Sequence, residues 1–139
     1  MRQAVTTLSF DTPGTGLTEI TGPLASWVKS QGMTDGLLTL LLRHTSASLV
    51  IQENADPAVC FDLEAFFRKL VPEGEHLYRH GEEGLDDMPA HIKTALTAVS
   101  LSIPLIGGRL ALGTWQGVYI FEHRRRPHRR QVALHLLGE

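Results

Sequence analysis

The order of strand-like and helix-like segments is the feature that most constrains the fold of this 139-residue chain. Short apolar runs rich in β-prone residues recur along the sequence and are bounded by glycine, proline and polar turn residues, a pattern typical of β-strands. Strand segments are predicted at residues 3–10, 37–43, 47–52, 99–106, 109–112, 113–122 and 131–137. In all we expect about eight strands and about three helices without regular strand–helix–strand alternation, which favours an α+β domain with a largely antiparallel sheet or sandwich.

Three segments between these strands have helical signals. Thr21-Gly22-Pro23 begins the first helix, and Gly32 stands where that helix would end. Asp56-Pro57 begins the second, whose apolar residues recur every three or four positions until Pro72. The third is predicted to begin at Pro89 and to end near residue 97.

Composition restricts the class of protein. With 42% apolar and 20% charged residues the chain has the material for a folded core, and residues 1–139 are expected to form one domain. The longest uncharged stretch, residues 94–108, is shorter than the roughly 20 apolar residues that a membrane span requires. The first residues do not resemble a signal peptide, and a single cysteine cannot form an internal disulfide, so we expect a cytoplasmic protein without a membrane partner.

Charge is distributed unevenly along the chain. Residues 1–123 carry a net charge of −6, whereas residues 124–139 carry +4. The basic excess lies in the arginine tract, defined here as residues 124–130, which contains five arginines including Arg124 and Arg129. The tract either is a solvated loop that pairs with the acidic body or binds the phosphate of a small ligand through forked guanidinium donors. An acidic domain without a basic stripe disfavours nucleic acid.

Residues 73–87 are expected to form a long loop, because they are acidic, contain three glycines and lack hydrophobic periodicity. His80 lies in this loop and His91 in the first turn of the next predicted helix, while His44 ends a leucine-rich strand. Three imidazoles from separate elements are the ligands of a catalytic zinc that keeps one position for water. Each histidine equally fits an ordinary structural position.

Acidic and hydroxyl residues near these positions are further candidates. Asp86 and Asp87 either orient the histidines or are acids at a helix N-terminus. Thr45 and Ser46 follow His44, and Glu53 follows the next strand. No catalytic serine setting and no phosphate-binding glycine loop is present.

Five blocks of this sequence, in this order, resemble the YjbQ-like family, which is named for a secondary thiamine-phosphate synthase activity. The blocks are His44-Thr45-Ser46-Ala47-Ser48-Leu49, Glu53-Asn54-Ala55-Asp56-Pro57, Tyr78-Arg79-His80, Asp86-Asp87-Met88-Pro89-Ala90-His91-Ile92-Lys93 and Leu112-Gly113-Thr114-Trp115-Gln116-Gly117-Val118-Tyr119. The resemblance implies a compact α+β domain, a homotrimer, and a histidine-rich site near subunit contacts.

The resemblance also implies a divalent metal at His44, His80 and His91, with zinc as the expected ion and magnesium as the alternative. Asp86 falls in the same site motif, and Trp115 and Gln116 would line the same cleft. The arginine-rich tract departs from the Gly-Pro-Arg type of loop associated with the family.

Together these observations predict a metal-dependent enzyme that acts on a small phosphorylated ligand, with thiamine-phosphate synthesis as a secondary activity. Its predicted catalytic residues are Asp86, His91 and Glu53. Its predicted ligand-binding residues are Thr45, Ser46, Trp115, Gln116, Arg124 and Arg129. The alternative is a non-catalytic trimer that binds a metal or an anionic metabolite.

Overall fold

The fold is described from a computed structural model that covers residues 1–139. It contains eight strands and three helices, so the predicted α+β class is confirmed. The strands are β1 (Arg2–Thr12), β2 (Gly16–Glu19), β3 (Gly36–Leu42), β4 (Ala47–Glu53), β5 (Ser100–Ile106), β6 (Arg109–Leu110), β7 (Gln116–Glu122) and β8 (His128–Gly138). The helices are α1 (Thr21–Ser30), α2 (Pro57–Leu70) and α3 (Asp87–Leu96).

The strands form two antiparallel sheets. One has five strands in the order β1-β8-β3-β5-β6, and the other has three in the order β2-β7-β4. Strand β2 was not predicted, because its four residues, Gly-Leu-Thr-Glu, are too few to show an alternating pattern.

The core lies between the inner faces of the two sheets and is closed by α1. In β3, Leu38, Leu40 and Leu42 are buried while the residues between them are more exposed, as expected from the two-residue period of a strand. The buried core residues are Ile20, Leu24, Val28, Met33, Leu38, Leu40, Leu42, Ala47, Leu49, Ile103, Leu105, Val118, Ile120, Val132, Leu134 and Leu136.

Helix boundaries follow local chemistry, with one correction to the prediction. The Asp56 side chain accepts the Ala58 N–H and caps α2, with proline in the first turn as expected. Helix α3 begins at Asp87 and not at Pro89, because proline is accepted anywhere in a first turn, where its missing N–H has no intrahelical partner. This earlier start matters, since it places Asp87 on the same helix as His91.

Two predicted strands are shorter than expected, and a turn explains the difference. The Gly113 N–H donates to the Gln116 side-chain oxygen at 2.8 Å, so residues 111–115 form a connection between β6 and β7. The preceding β5–β6 hairpin turns at Gly107 and Gly108 as predicted. Both have positive φ, +58° and +81°, which a two-residue turn of this kind requires.

The β4–β7 pair determines where the candidate site residues lie. Ala47 pairs with Glu122 at one end of this ladder, and Glu53 pairs with Gln116 at the other. Since a strand rises by about 3.3 Å per residue, the two ends are about 20 Å apart. None of the three helices combines the length and hydropathy that a bilayer crossing needs.

Candidate metal centre

Four side chains from the 73–87 loop and the start of α3 form the only group of potential metal ligands in the structure. His80, Glu83, Asp87 and His91 each offer one ligand atom, and these atoms lie within 4.8 Å of one another. The Asp87 Oδ2 atom is 2.6 Å from His80 Nε2 and 3.2 Å from His91 Nε2, and Glu83 Oε2 is 3.5 Å from His80 Nε2. We call these four residues the histidine group.

The hydrogen bond at the far side of His91 determines which ring nitrogen carries its proton. His91 Nδ1 lies 2.9 Å from the Thr45 carbonyl oxygen, which only accepts, so Nδ1 must donate. The lone pair of a neutral ring is then on Nε2, which is directed at the Asp87 carboxylate. Two acceptors facing each other need a proton or a cation between them. An imidazole whose second nitrogen donates to a backbone carbonyl is the usual arrangement of a metal-binding histidine.

Asp87 is the central carboxylate of this group. Its side chain is only 3% exposed, whereas those of His80 and His91 are 48% and 30% exposed. Burial opposes ionisation of Asp87, but the hydrogen bond with His80 and the charges of His91 and Arg124 hold its pKa below the usual range. The carboxylate is therefore ionised at neutral pH and open to solvent only through its histidine partners.

Arg124 fixes the loop that carries the group. Its guanidinium donates to Asp86 Oδ2 at 3.1 Å, to Asp87 Oδ1 at 2.6 Å and to the Glu83 carbonyl oxygen at 3.0 Å. Asp86 also accepts the Arg125 N–H at 2.9 Å. Although burial opposes it, these bonds from Arg125 and Arg124 lower the pKa of Asp86. Arg124 was predicted to bind ligand, but each of its three guanidinium nitrogens already donates to a group of the protein.

Of the three predicted metal ligands, the structure brings together His80 and His91 but not His44. The Gln131 N–H donates to His44 Nε2 at 2.8 Å, so the lone pair of this ring is already engaged. Partial burial and the neighbouring Arg130 charge lower the pKa of His44, which favours the neutral acceptor. The role of His44 as a ligand stays a prediction that no contact within this chain supports.

Ser46 belongs to a different, buried cluster. Its Oγ accepts a hydrogen bond from Arg130 at 3.0 Å, and Arg130 forms a two-pronged ion pair with Glu122. Thr12 Oγ1 donates to the same carboxylate at 2.6 Å. Glu122 is fully buried and Arg130 is 3% exposed, so this polar cluster lies inside the protein. Thr45 contacts the histidine group through its backbone only.

Three other predicted site residues lie at the opposite end of the β4–β7 ladder. Glu53 accepts the Asp56 N–H, and Gln116 accepts the Gly113 N–H. Trp115 is 63% exposed beside them. The structure therefore does not bring Glu53, Trp115 and Gln116 to the histidine group within one chain.

The arginine tract divides into two kinds of residue. Arg124, Arg125 and Arg130 form ion pairs with carboxylates, which agrees with a loop that pairs with the acidic body. Arg129 is exposed and forms no ion pair, so it is free to contact a ligand. Arg130 does not fit the solvated-loop interpretation, because it lies in β8 and points into the core.

A family model described as "UPF0047 protein YjbQ-like" matches residues 6–139. The chain belongs to the YjbQ-like family. It is 54% identical over 138 residues to a UPF0047 protein of Synechocystis sp., covering 99% of this chain and 94% of that protein. It is 52% identical over 104 residues to the UPF0047 protein YjbQ of Salmonella typhimurium, covering 75% of each chain.

Solved structures of family members have the same fold. A Clostridium acetobutylicum structure described as an uncharacterized conserved protein of the yjbq/upf0047 family superposes with a TM-score of 0.86 at 33% identity, covering 95% of this chain and 99% of that chain. The conserved hypothetical protein TT1486 of Thermus thermophilus superposes with a TM-score of 0.85 at 36% identity, with the same coverage. The expected family membership is thus confirmed.

Sequence reasoning missed two members of the histidine group. Asp87 was weighed only as an orienting or helix-terminal acid, and Glu83 was not considered. A signal was present, because Asp87 and His91 are four residues apart and so share one helix face. Nothing in the sequence predicted Glu83, whose position depends on the path of an irregular loop.

The donor set of the histidine group can be tested against the implied metals. Two imidazoles and a carboxylate fit zinc, which binds histidine nitrogen and carboxylate oxygen, and three protein ligands leave one position open. Magnesium prefers an all-oxygen environment and fits these residues poorly.

Proposed function

We propose that this protein is a metal-dependent enzyme that acts on a small phosphorylated compound, with His80, Asp87 and His91 holding a zinc ion. The observation that carries the proposal is the hydrogen bond from His91 Nδ1 to the Thr45 carbonyl, which directs the Nε2 lone pair at Asp87. Glu83 is within reach as a fourth ligand. A zinc ion bound here would supply Lewis acidity and a bound water of lowered pKa.

The protein's own residues have distinct roles in this proposal. Thr45 fixes the His91 ring, and Arg124 holds Asp87 from the side opposite the imidazoles. Asp86 positions Arg124 and Arg125, and so acts as a positioning residue. Arg129, exposed and without an ion pair, is available for the phosphorylated compound.

Family resemblance supports thiamine-phosphate synthesis as a secondary activity. That reaction joins a pyrimidine pyrophosphate to a thiazole phosphate. It requires the two substrates to be positioned and the leaving pyrophosphate to be neutralised, rather than a protein nucleophile. In this proposal the principal substrate of the protein is a different small phosphorylated compound.

We also propose self-association as a homotrimer in the cytoplasm. The number three comes from the family resemblance, and the outer face of the five-stranded sheet supports association. Val5, Leu37, Leu41 and Leu137 are between 41% and 71% exposed on that face. An apolar patch of this kind is typical of an interface. Light scattering coupled to size-exclusion chromatography would measure the mass, and a monomer would contradict the trimer.

The metal and the enzyme activity are tested separately. Chelator-treated protein is titrated with zinc by calorimetry, alongside His91→Ala and the matched control His135→Ala on the outer sheet face. We expect one zinc per chain in the parent and in the control, and a loss of at least about 100-fold in affinity in His91→Ala, since that variant removes a direct ligand. Equal binding in all three proteins would reject the metal site.

Activity is then measured with a pyrimidine pyrophosphate and a thiazole phosphate, with and without zinc, by chromatography of thiamine phosphate. Zinc-dependent product formation that His91→Ala abolishes is the expected result. Zinc binding without turnover of these or other phosphorylated compounds would contradict the enzyme and favour the alternative, a non-catalytic metal- or metabolite-binding protein.

A further inference from the structure

A second polar site lies beside the end of α2 and the beginning of the long loop. It is a cleft of about 550 Å³, and seven of its eight lining residues have polar or charged side chains. The lining residues are Thr15, Glu64, Arg68, Pro72, Glu73, Lys93, His123 and Arg125. We call it the lysine cleft. It shares no lining residue with the histidine group.

The charges in the lysine cleft are unevenly paired. Arg125 forms an ion pair with Glu73, and Arg68 is 4.0 Å from Glu64. Lys93 forms neither an ion pair nor a hydrogen bond and is half-buried. The Glu64 charge acts on Lys93 without forming an ion pair with it. The three cations that line the cleft outnumber its two carboxylates, Glu64 and Glu73, and this excess attracts an anion.

A buried imidazole beside Lys93 has one free nitrogen. His123 is 2% exposed, and its Nε2 lies 2.9 Å from Ser48 Oγ, which is fully buried. Its Nδ1 has no hydrogen-bond partner in the protein. Every fully buried side-chain nitrogen and oxygen has a partner, so Nδ1 keeps some accessible surface, and His123 is among the residues that line the cleft. When Ser48 donates to Nε2, Nδ1 carries the proton and becomes a donor.

We propose that the lysine cleft binds the phosphate group of a small molecule, with Lys93 and His123 Nδ1 as its inner donors and Arg68 and Arg125 at its rim. Two rim guanidinia, an ammonium and a ring nitrogen line this cleft together with the two carboxylates that pair with the guanidinia. This number of donors suits the several acceptor oxygens of a phosphate better than the two of a carboxylate. The volume lies within the range of small-ligand pockets, so it has room for a phosphorylated metabolite as well as for inorganic phosphate.

This inference shares only its ligand class with the proposed function. Because the cleft contains no member of the histidine group, phosphate binding does not need the metal. The test therefore uses chelator-treated full-length protein, in which failure of the metal site leaves the result unchanged.

Inorganic phosphate and glycerol 3-phosphate are titrated by calorimetry into the parent protein and into Lys93→Gln. We expect Lys93→Gln to lower the affinity for both at least tenfold. Tighter binding of glycerol 3-phosphate than of inorganic phosphate would identify a phosphorylated metabolite as the ligand, and the reverse order would identify the free anion. Undetectable binding of both to the parent would overturn the proposal.

Two matched variants localise the effect. Lys69→Gln removes an exposed lysine of the neighbouring helix α2 that does not line the cleft, and it should bind like the parent. Arg126→Gln removes an exposed arginine of the tract that forms no ion pair and does not line the cleft, and it should also bind like the parent. A loss in Arg126→Gln with none in Lys93→Gln would assign phosphate to the arginine tract and overturn the cleft.

His123→Gln measures the second inner donor and is expected to weaken phosphate binding severalfold. Thermal melts accompany each variant. Should His123→Gln fail to fold, Lys93→Gln still decides the question, because Lys93 forms no hydrogen bond or ion pair whose loss would destabilise the protein.

Discussion

Two carboxylate clusters lie close together in this fold and differ in how their acceptor oxygens are used. Glu122 is fully buried and directs its oxygens at Arg130, at Thr12 and at the Arg124 N–H. Asp87 is nearly as buried, but one of its oxygens is shared by two imidazoles that reach the surface. Both clusters include an arginine from the same tract of sequence.

The difference separates a stabilising role from a binding role. The donors hydrogen-bonded to Glu122 all belong to the protein, and the Glu122–Arg130 pair is buried, so no ligand is needed to complete its pairing. The Asp87 carboxylate faces the partly exposed rings of His80 and His91, and the Nε2 lone pair of His91 points at this carboxylate. Buried charge is costly unless it is fully paired, whereas an exposed edge lets a cation complete the pairing. If this contrast holds, variants of the two clusters differ in the stability they lose and in their response to zinc.

Removing the charge of Glu122 should have the largest effect. In Glu122→Gln the Arg130 guanidinium stays buried without its counter-ion, and breaking one partner of a buried pair typically costs about 3–5 kcal/mol. Urea denaturation would measure this loss, and the double variant Glu122→Leu with Arg130→Met should recover most of it. A loss below about 1 kcal/mol would be no larger than that of an exposed ion pair, and would contradict the contrast between the two clusters.

Zinc should stabilise the protein through Asp87. At a free concentration of 100 times the Kd, a ligand that binds only the folded state stabilises it by about 2.7 kcal/mol. We expect the melting temperature of the parent to rise with zinc and that of Asp87→Asn to stay constant. Glu122→Gln, where it folds, should keep the response, since Glu122 is not part of the histidine group. A zinc response retained by Asp87→Asn would contradict the assignment of this carboxylate.

Acid should destabilise the folded protein through His123. Burial, together with the nearby Lys93 charge, lowers the pKa of His123 to about 3. Below about pH 6.5 the unfolded chain therefore binds a proton that the folded protein does not, and stability falls as the pH falls from 6.5 towards 3. One such group gives a slope of at most about 1.4 kcal/mol per pH unit.

The pH effect can be assigned to this histidine by comparison. Unfolding free energies between pH 6.5 and 5 should decline less steeply in His123→Gln than in the parent. Replacement of the outward-facing His135 by glutamine should leave the slope as it is. Glu122 acts at lower pH: burial opposes its ionisation, but the bonds from Arg130 and Thr12 lower its pKa, so its contribution is lost as pH falls further. Equal slopes in parent and His123→Gln would contradict the burial argument.

The fold and the candidate site differ in how much of each could be predicted from the sequence. Periodicity and turn residues predicted most strands, all three helices and the long loop, because these are local properties. His80 and His91 were predicted to converge and do. Glu53 and Trp115 were assigned to the same site, but strand register places them at the opposite end of the β4–β7 ladder, and register is not visible in a single sequence.

The arginine tract shows a second kind of limit. Five arginines look alike in the sequence, and only the pairing of β1 with β8 decides which of them points inward. Arg130 pairs with Phe10 across these strands and faces the core, whereas Arg129, its neighbour, pairs with Asp11 and faces out. The alternation of a strand thus separates a structural arginine from one that is available to a ligand.

Replacing Arg129 should have the smallest effect on stability. It is exposed, forms no ion pair and lies outside both clusters, so Arg129→Gln should change the unfolding free energy by less than about 0.5 kcal/mol. Replacing its neighbour, in Arg130→Gln, should cost several kcal/mol, since it leaves Glu122 buried without its counter-ion. Parallel urea titrations of the two variants measure this difference between adjacent residues of one strand. Similar losses in both would mean that the tract acts as one solvated charge cluster, and the distinction between an enclosed and an open carboxylate would lose its structural basis.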